Sequence, residues 1–156
     1  MINNDVLRSI RYMLDLSDAQ VIGIVQLSDP DSALSREEVQ AFLKKEGEEG
    51  YAECGDAVLA HFLDGLVFHF RGRNPDLPPR PPELRMSNNV VLKKLRVAFE
   101  LKDADMHQIF ENAGFPVTKP ELSALFRQAD HKNFRACGDQ LLRNFLKGLT
   151  LRVRGP

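Results

Sequence analysis

Leu7, Ile10 and Leu14 stand three and four residues apart among polar positions, and Leu92, Leu95 and Phe99 repeat that spacing in the second half of the chain. This period predicts amphipathic helices, because residues three and four apart share one helix face. Asn3 and Asn88 suit the N-caps of this first helix, with Asn4 and Asn89 as alternatives, since an amide oxygen can accept from an unpaired first-turn N–H. A second helix starts at Ser17, where Gln20 completes a capping box. A third starts at Ser35 or Thr118, with Glu38 or Glu121 three residues on, and Pro120 is compatible with a first helical turn. The fourth begins at Asp56 or Asp139, read as N-caps after the turn glycines Gly55 and Gly138. It carries Leu59, Phe62, Leu63 and Leu66, or Leu142, Phe145, Leu146 and Leu149, on one face. It ends near Gly72 or Gly155, with Arg71 and Arg154 close to the negative end of the helix dipole. No stretch sustains the alternation of a strand, so the expected class is all-α, with eight helices.

The two sets of helices are copies of one unit. "MINNDVLRSIRYMLDLSDAQVIGIV" (1–25) aligns with "MSNNVVLKKLRVAFELKDADMHQIF" (86–110), "LSREEVQAFLKK" (34–45) with "VTKPELSALFRQ" (117–128), and residues 51–72 with 134–155. The register shifts by two residues in the "LSDPDSA" loop of the first copy. Between the copies lies "RNPDLPPRPPELR" (73–85), where five of the nine prolines rule out an interior helix or strand. The organisation expected is therefore repeat 1 (1–72), a Pro-rich linker (73–85) and repeat 2 (86–156), with the four-helix repeats docked about a pseudo-two-fold axis. The linker reads as a semi-rigid polyproline spacer, whose PxxP spacings also suit a proline-recognition partner. Gly65 and Gly148 sit inside the fourth helices, where glycine costs about 1 kcal/mol against alanine. Their presence in both copies points to a close helix approach, and contact between the two fourth helices would supply it.

Charge distinguishes the copies. Residues 1–72 carry 6 Lys/Arg against 13 Asp/Glu, and residues 86–156 carry 12 against 7. A net −7 thus faces a net +5, hidden within an overall charge of −1. Such a split concerns partners or mutual attraction and leaves the fold untouched. At about 70 residues each repeat is marginal alone, which favours docking. No segment reaches the ~18 apolar residues needed to span a bilayer, and the N-terminus lacks the pattern of a signal peptide. The cytoplasm is the expected compartment, with Cys54 and Cys137 as reduced thiols.

Chemistry is thinly signalled. A cysteine ahead of a helix N-terminus, as in the two Cys-Gly-Asp motifs, can have a lowered pKa, yet neither copy has CxxC or a cysteine-hydrolase pattern. His61, His69, His107 and His131 are not duplicated and show no metal-ligand spacing with the cysteines. "KEGEEGYAE" (45–53) lacks the oxygen-ligand spacing of a calcium loop. No catalytic residue, cofactor or metal is expected. Arg11 and Arg96 suit ion pairs with Asp56 and Asp139 in their own repeats, or an anion. The second and third helices of each copy resemble a helix-turn-helix with an extended turn. In repeat 2, Lys93, Lys94, Lys119, Arg127, Lys132 and Arg135 are candidate phosphate contacts.

"NNVVLKKLRVAFELK", "DHKNFRACGDQLLRNFLKGL" and "NNDVLRSIRYML" resemble the YehS-like family of small bacterial proteins. The resemblance spans nearly the whole chain. It implies a cytoplasmic protein built from two copies of a domain of unknown function, and it carries over no activity, cofactor or catalytic residue. The expected function is a non-enzymatic interaction or regulatory module. A protein partner is favoured, nucleic acid through repeat 2 is the alternative, and self-association is open.

Overall fold

The computed structural model describes residues 1–73 and 85–155. All regular structure in these residues is helical: α1 (Asn3–Leu14), α2 (Asp18–Ser28), α3 (Arg36–Leu43), α4 (Asp56–Arg71), α5 (Asn88–Ala98), α6 (Asp103–Asn112), α7 (Lys119–Leu125) and α8 (Asp139–Arg154). Contacts divide the chain into two compact units, Ile2–Met86 and Ser87–Pro156 with Met1. Most of the Pro-rich linker, including its polyproline and PxxP readings, lies outside the described residues. No described helix is long and apolar enough to cross a membrane.

Both units are built alike. In repeat 1, α4 packs chiefly on α2 while α1 and α3 close the core; in repeat 2, α8 packs chiefly on α6. The fourth-helix stripes are buried as their period requires, with Leu59, Phe62, Leu66, Leu142, Phe145 and Leu149 fully enclosed. Phe110 of α6 meets Phe145 of α8 at 5.5 Å between ring centroids. On the first helices the buried faces are Val6, Leu7, Ile10 and Met13, and Val91, Leu92, Leu95 and Ala98. Leu14 and Phe99 are only half-buried, so the enclosed faces close one residue earlier, at Met13 and Ala98.

Capping boxes open α2 (Ser17, Gln20), α3 (Ser35, Glu38) and α7 (Thr118, Glu121), with a proline in the first turn of α7. Gly72 and Gly155 terminate α4 and α8 at φ 77° and 87°. The asparagine caps, however, are corrected. Ile2 precedes α1 without a side-chain cap, and Ser87 caps α5 by accepting from the Val90 N–H at 3.2 Å. The asparagines lie inside the helices, where their amides bond backbone groups about 36 to 51 residues away and, for Asn3 and Asn88, the Asp56 and Asp139 carboxylates. Asp56 and Asp139 also sit one residue inside their helices, behind Gly55 and Gly138.

The close approach at the mid-helix glycines is present, but its partner is different. A Cβ on Gly65 would overlap the carbonyl oxygen of Ile24 in α2, and one on Gly148 the carbonyl oxygen of Ile109 in α6. The bare backbone thus serves α2–α4 and α6–α8 packing within each repeat, and not a contact between the fourth helices.

Asp15 follows α1 in the left-handed region at φ 53°, where the N–H of Leu16 reaches back to the Arg11 carbonyl at 3.0 Å. A β-carbon costs ~1–2 kcal/mol in that conformation, and a carboxylate at a helix C-terminus adds an unfavourable dipole contact. Asp15→Gly relieves both effects while making the unfolded chain more flexible. A net stabilisation of about 0.5–1 kcal/mol is expected in urea denaturation, and a loss of stability would contradict this account.

Candidate functional site

The duplicated Asn-Asn and Cys-Gly-Asp motifs meet in space. Successive residues on α1 project about 100° apart, so Asn3 and Asn4 reach different backbone groups. Asn4 is only 1% exposed. Its Nδ2 donates to the carbonyls of Phe42 (3.0 Å) and Ala52 (2.8 Å), and its Oδ1 accepts from the Cys54 N–H at 2.9 Å. Asn3 donates to the Cys54 carbonyl (3.0 Å) and to Asp56 Oδ1 (2.7 Å). Repeat 2 reproduces this joint: Asn89 holds the Leu125 and Arg135 carbonyls and the Cys137 N–H, while Asn88 holds the Cys137 carbonyl and Asp139. The Asn3 amide, followed by the Met86 N–H, holds the Asp56 carboxyl below its ordinary value.

This joint orders the chain between the third and fourth helices and does not activate the thiols. Cys54 and Cys137 are buried. Desolvation, aided by Asp56, pushes the Cys54 thiol up to about 12, and desolvation pushes Cys137 up to about 11. A nucleophilic cysteine requires the opposite shift. In the folded protein at pH 8, both thiols are expected to react with a disulfide reagent at least ~100-fold more slowly than an unfolded cysteine. Denaturant should release both together, whereas rapid labelling of either native thiol would contradict the burial argument.

A serine, a histidine and an aspartate gather in repeat 1 only. Ser28 Oγ lies 3.3 Å from His61 Nδ1, and His61 Nε2 lies 3.8 Å from Asp29 Oδ2. The serine hydroxyl donates to the His61 carbonyl at 2.5 Å, with the Val25 carbonyl at 3.2 Å. Its proton is thus directed to backbone and not to the imidazole, so the cluster ties α2 to α4 and lacks the arrangement of an activated serine. Among the described residues, no group of three or more His, Cys, Asp and Glu side chains could hold a metal ion.

The duplicated arginines also pair differently from the sequence expectation. Arg96 donates to the Leu101 carbonyl at 3.1 Å and to Asp103 at 2.5 Å, and stacks 4.7 Å over the Phe126 ring. Asp103 begins the next helix and lies within easy reach of α5, whereas Asp139 is engaged by Asn88. Leu43 occupies the position of Phe126 in repeat 1, and the buried Nε of Arg11 has no hydrogen-bond partner.

The strongest difference between repeats is on their surfaces. The connection between α3 and α4 folds by three backbone bonds: Glu48 N to Lys45 O, Tyr51 N to Glu48 O and Ala52 N to Ala41 O. The α7–α8 connection repeats all three, as His131 N to Gln128 O, Phe134 N to His131 O and Arg135 N to Ala124 O. On this shared backbone, Glu48 and Glu49 occupy the places of His131 and Lys132, and Ala52 that of Arg135. Desolvation and then Glu46, Glu53 and Asp5 raise the Tyr51 phenol above its ordinary value, a sign of converging negative charge in repeat 1.

The six candidate phosphate contacts are scattered over three elements. Lys93 and Lys94 belong to α5, Lys119 begins α7, and Arg127, Lys132 and Arg135 follow α7. Lys93, Lys119, Arg127 and Lys132 are exposed. Arg135 is engaged with Glu121 at 2.8 Å, which also lowers the Glu121 carboxyl. The helix-turn-helix reading meets a short second helix, since α7 has seven residues and its capping Glu121 sits beside Lys119. Sequence reasoning missed Arg143 and Lys147, two exposed cations one turn apart on α8. Alignment with Ala60 and Asp64 of α4 would have found them.

A family profile described as "Protein of unknown function (DUF1456)" matches this chain twice, over residues 3–72 and 88–155. The chain belongs to the DUF1456 family. Each match runs from the start of a first helix to the glycine that ends the fourth, so one DUF1456 unit is one four-helix repeat. The chain is also 45% identical over 152 residues to a protein of Escherichia coli (strain K12) named "Uncharacterized protein YehS". That similarity covers 97% of this chain and 96% of the relative. No solved structure matches. The YehS-like resemblance of the asparagine and Cys-Gly-Asp segments is thus supported, and those residues form the internal joint of each DUF1456 unit.

Proposed function

We propose that this DUF1456 protein is a non-enzymatic interaction or regulatory module, acting in the cytoplasm, whose two units present one scaffold with opposite charge. The observation that carries this reading is the pair of superposable connections, 44–53 with two lysines against four glutamates and 127–136 with three cations against one aspartate. An ordered backbone presents these charges with little loss of freedom on binding, and complementary potentials steer encounter and select partners. The buried, unactivated thiols support a binding role over covalent chemistry.

Affinity purification from the native host, with the intact chain and with each unit's exposed charges reversed, tests this reading. Partners retained after nuclease treatment and lost on reversal of one unit's charges are the expected result. Capture that is indifferent to both reversals would oppose it. A second reading is nucleic-acid binding by repeat 2, favoured by the exposed Lys93, Lys119, Arg127, Lys132, Arg143 and Lys147. That reading requires mobility shifts with a steep salt slope, because each neutralised phosphate releases counterions. Absence of a shift at low salt would remove it.

A further inference from the structure

We propose that the basic surface of repeat 2 docks on the acidic surface of repeat 1 in a second copy of this chain. This rests on the interaction-module reading and names its partner. The basic side consists of Lys132 after α7 and Arg143 and Lys147 on α8; the acidic side consists of Glu46, Glu49 and Glu53 before α4. All six side chains belong to exposed residues. Among the described residues, the ion pairs within the units use other groups: Arg8 with Asp5, His61 with Asp29, Arg96 with Asp103, Arg135 with Glu121, Arg152 with Asp105, and the Met1 amino group with Asp139. The six charges are therefore presented outward and outside those ion pairs, although Lys44 Nζ donates to the Glu49 carbonyl at 2.9 Å and Arg143 lies close enough to Asp139 to help the Met1 amino group hold its carboxyl down.

A second copy suits these surfaces better than an arbitrary charged protein for two reasons. First, the charges are complementary within one sequence, net −7 against net +5, so every copy brings both halves of the contact. Second, the inversion is laid on one backbone: Glu49 and Lys132 occupy the same place in connections held by the same three hydrogen bonds. The two connections can face each other loop to loop and bring Lys132 toward Glu49, while Arg143 and Lys147 on α8 and Glu46 and Glu53 before α4 add attraction of the same sense. The contact is heterologous, joining repeat 2 of one copy to repeat 1 of the next. Each copy retains a free surface of each sign, so association continues head to tail until a ring closes.

Sedimentation velocity of the full-length protein, nuclease-treated and free of nucleic acid by absorbance, tests this proposal over a series of protein concentrations. At about 0.01 M salt, where screening extends over ~30 Å, species larger than the monomer are expected to grow with concentration. They should dissociate by about 1 M, where it falls to ~3 Å. The apparent association constant is expected to drop roughly tenfold or more across that range. Reversal of the basic set (K132E, R143E and K147E) should leave a monomer, as should reversal of the acidic set (E46K, E49K and E53K). All six positions are exposed, and unchanged thermal unfolding of each variant verifies that it folds.

The deciding sample is an equimolar mixture of the two variants. Each retains one native surface complementary to the other's, so association should return in the mixture. A monomer at every salt concentration, salt-independent oligomers, or a mixture that stays monomeric would overturn the proposal. Oligomers that vanish on nuclease treatment would overturn it in favour of nucleic acid as the bridge. Should the chain remain monomeric while partner capture still depends on one unit's charges, self-docking alone fails and the interaction-module reading stands.

Discussion

Gly65→Ala is expected to destabilise repeat 1 by about 3 kcal/mol, whereas Gly23→Ala, at the sixth residue of the neighbouring helix α2, is expected to stabilise it by up to ~1 kcal/mol. The two substitutions are chemically identical, and both replace a helical glycine with the best helix former. Gly23 is exposed and a Cβ there meets nothing within 4 Å, so only the propensity gain remains. At Gly65 a Cβ would overlap the Ile24 carbonyl oxygen and stand 2.7 Å from its carbonyl carbon. Backbone cannot rotate aside as a side-chain terminus can, so α2 and α4 must separate along their main packing seam. Gly148→Ala meets the Ile109 backbone in the same way and should produce a comparable loss in repeat 2. Urea denaturation followed by far-ultraviolet circular dichroism measures all three. Equal signs for Gly23→Ala and Gly65→Ala would refute the close-approach explanation.

Asn4→Ala is expected to cost on the order of 4 kcal/mol, an unusually large effect for one polar residue in a first helical turn. Alanine leaves the Phe42 and Ala52 carbonyls and the Cys54 N–H without their partner. Each stranded buried group costs ~1–3 kcal/mol, offset where water can enter. Asn89→Ala breaks the equivalent three bonds. Asn89 is only half-buried, however, so solvent can partly replace the amide and the expected loss is about half as large. The same denaturation experiment measures both losses. An N-cap reading predicts ~1 kcal/mol for each site. Measured losses near that value in both repeats would therefore restore the asparagines to a capping role.

The contrast between these asparagines and the capping boxes shows which features were legible in the chain. Ser17, Ser35 and Thr118 act on N–H groups three residues away, so their roles are contained in local spacing. Asn4 acts on residues 38 to 50 positions away, and a local rule assigned it the nearest available task. Asp56 was misplaced by one residue for the same reason: its main partner, Asn3, is 53 residues distant. Gly65 was intermediate. Its presence in both copies signalled a close approach, but Ile24 and the opposite fourth helix were equally consistent with that signal until packing selected the former.

The candidate interaction surface divided along the same line. The excess of acid in one repeat and base in the other is a count over residues and needs no coordinates. Which cations stand outward depends on folding. Arg135 is held by Glu121, fourteen residues away, while Arg143 and Lys147 are exposed on α8.

The sequence by itself determined the helical class, the duplication, the boxed helix starts, the glycine stops and the charge split. Each of these follows from short-range periodicity, local hydrogen bonding or simple composition. Only the tertiary structure decided where the paired asparagines bond, which backbone the mid-helix glycines admit, that both thiols are buried, and which charges remain outward. Those properties depend on groups brought together from distant parts of the chain, where burial removes water and makes every unpaired polar atom costly.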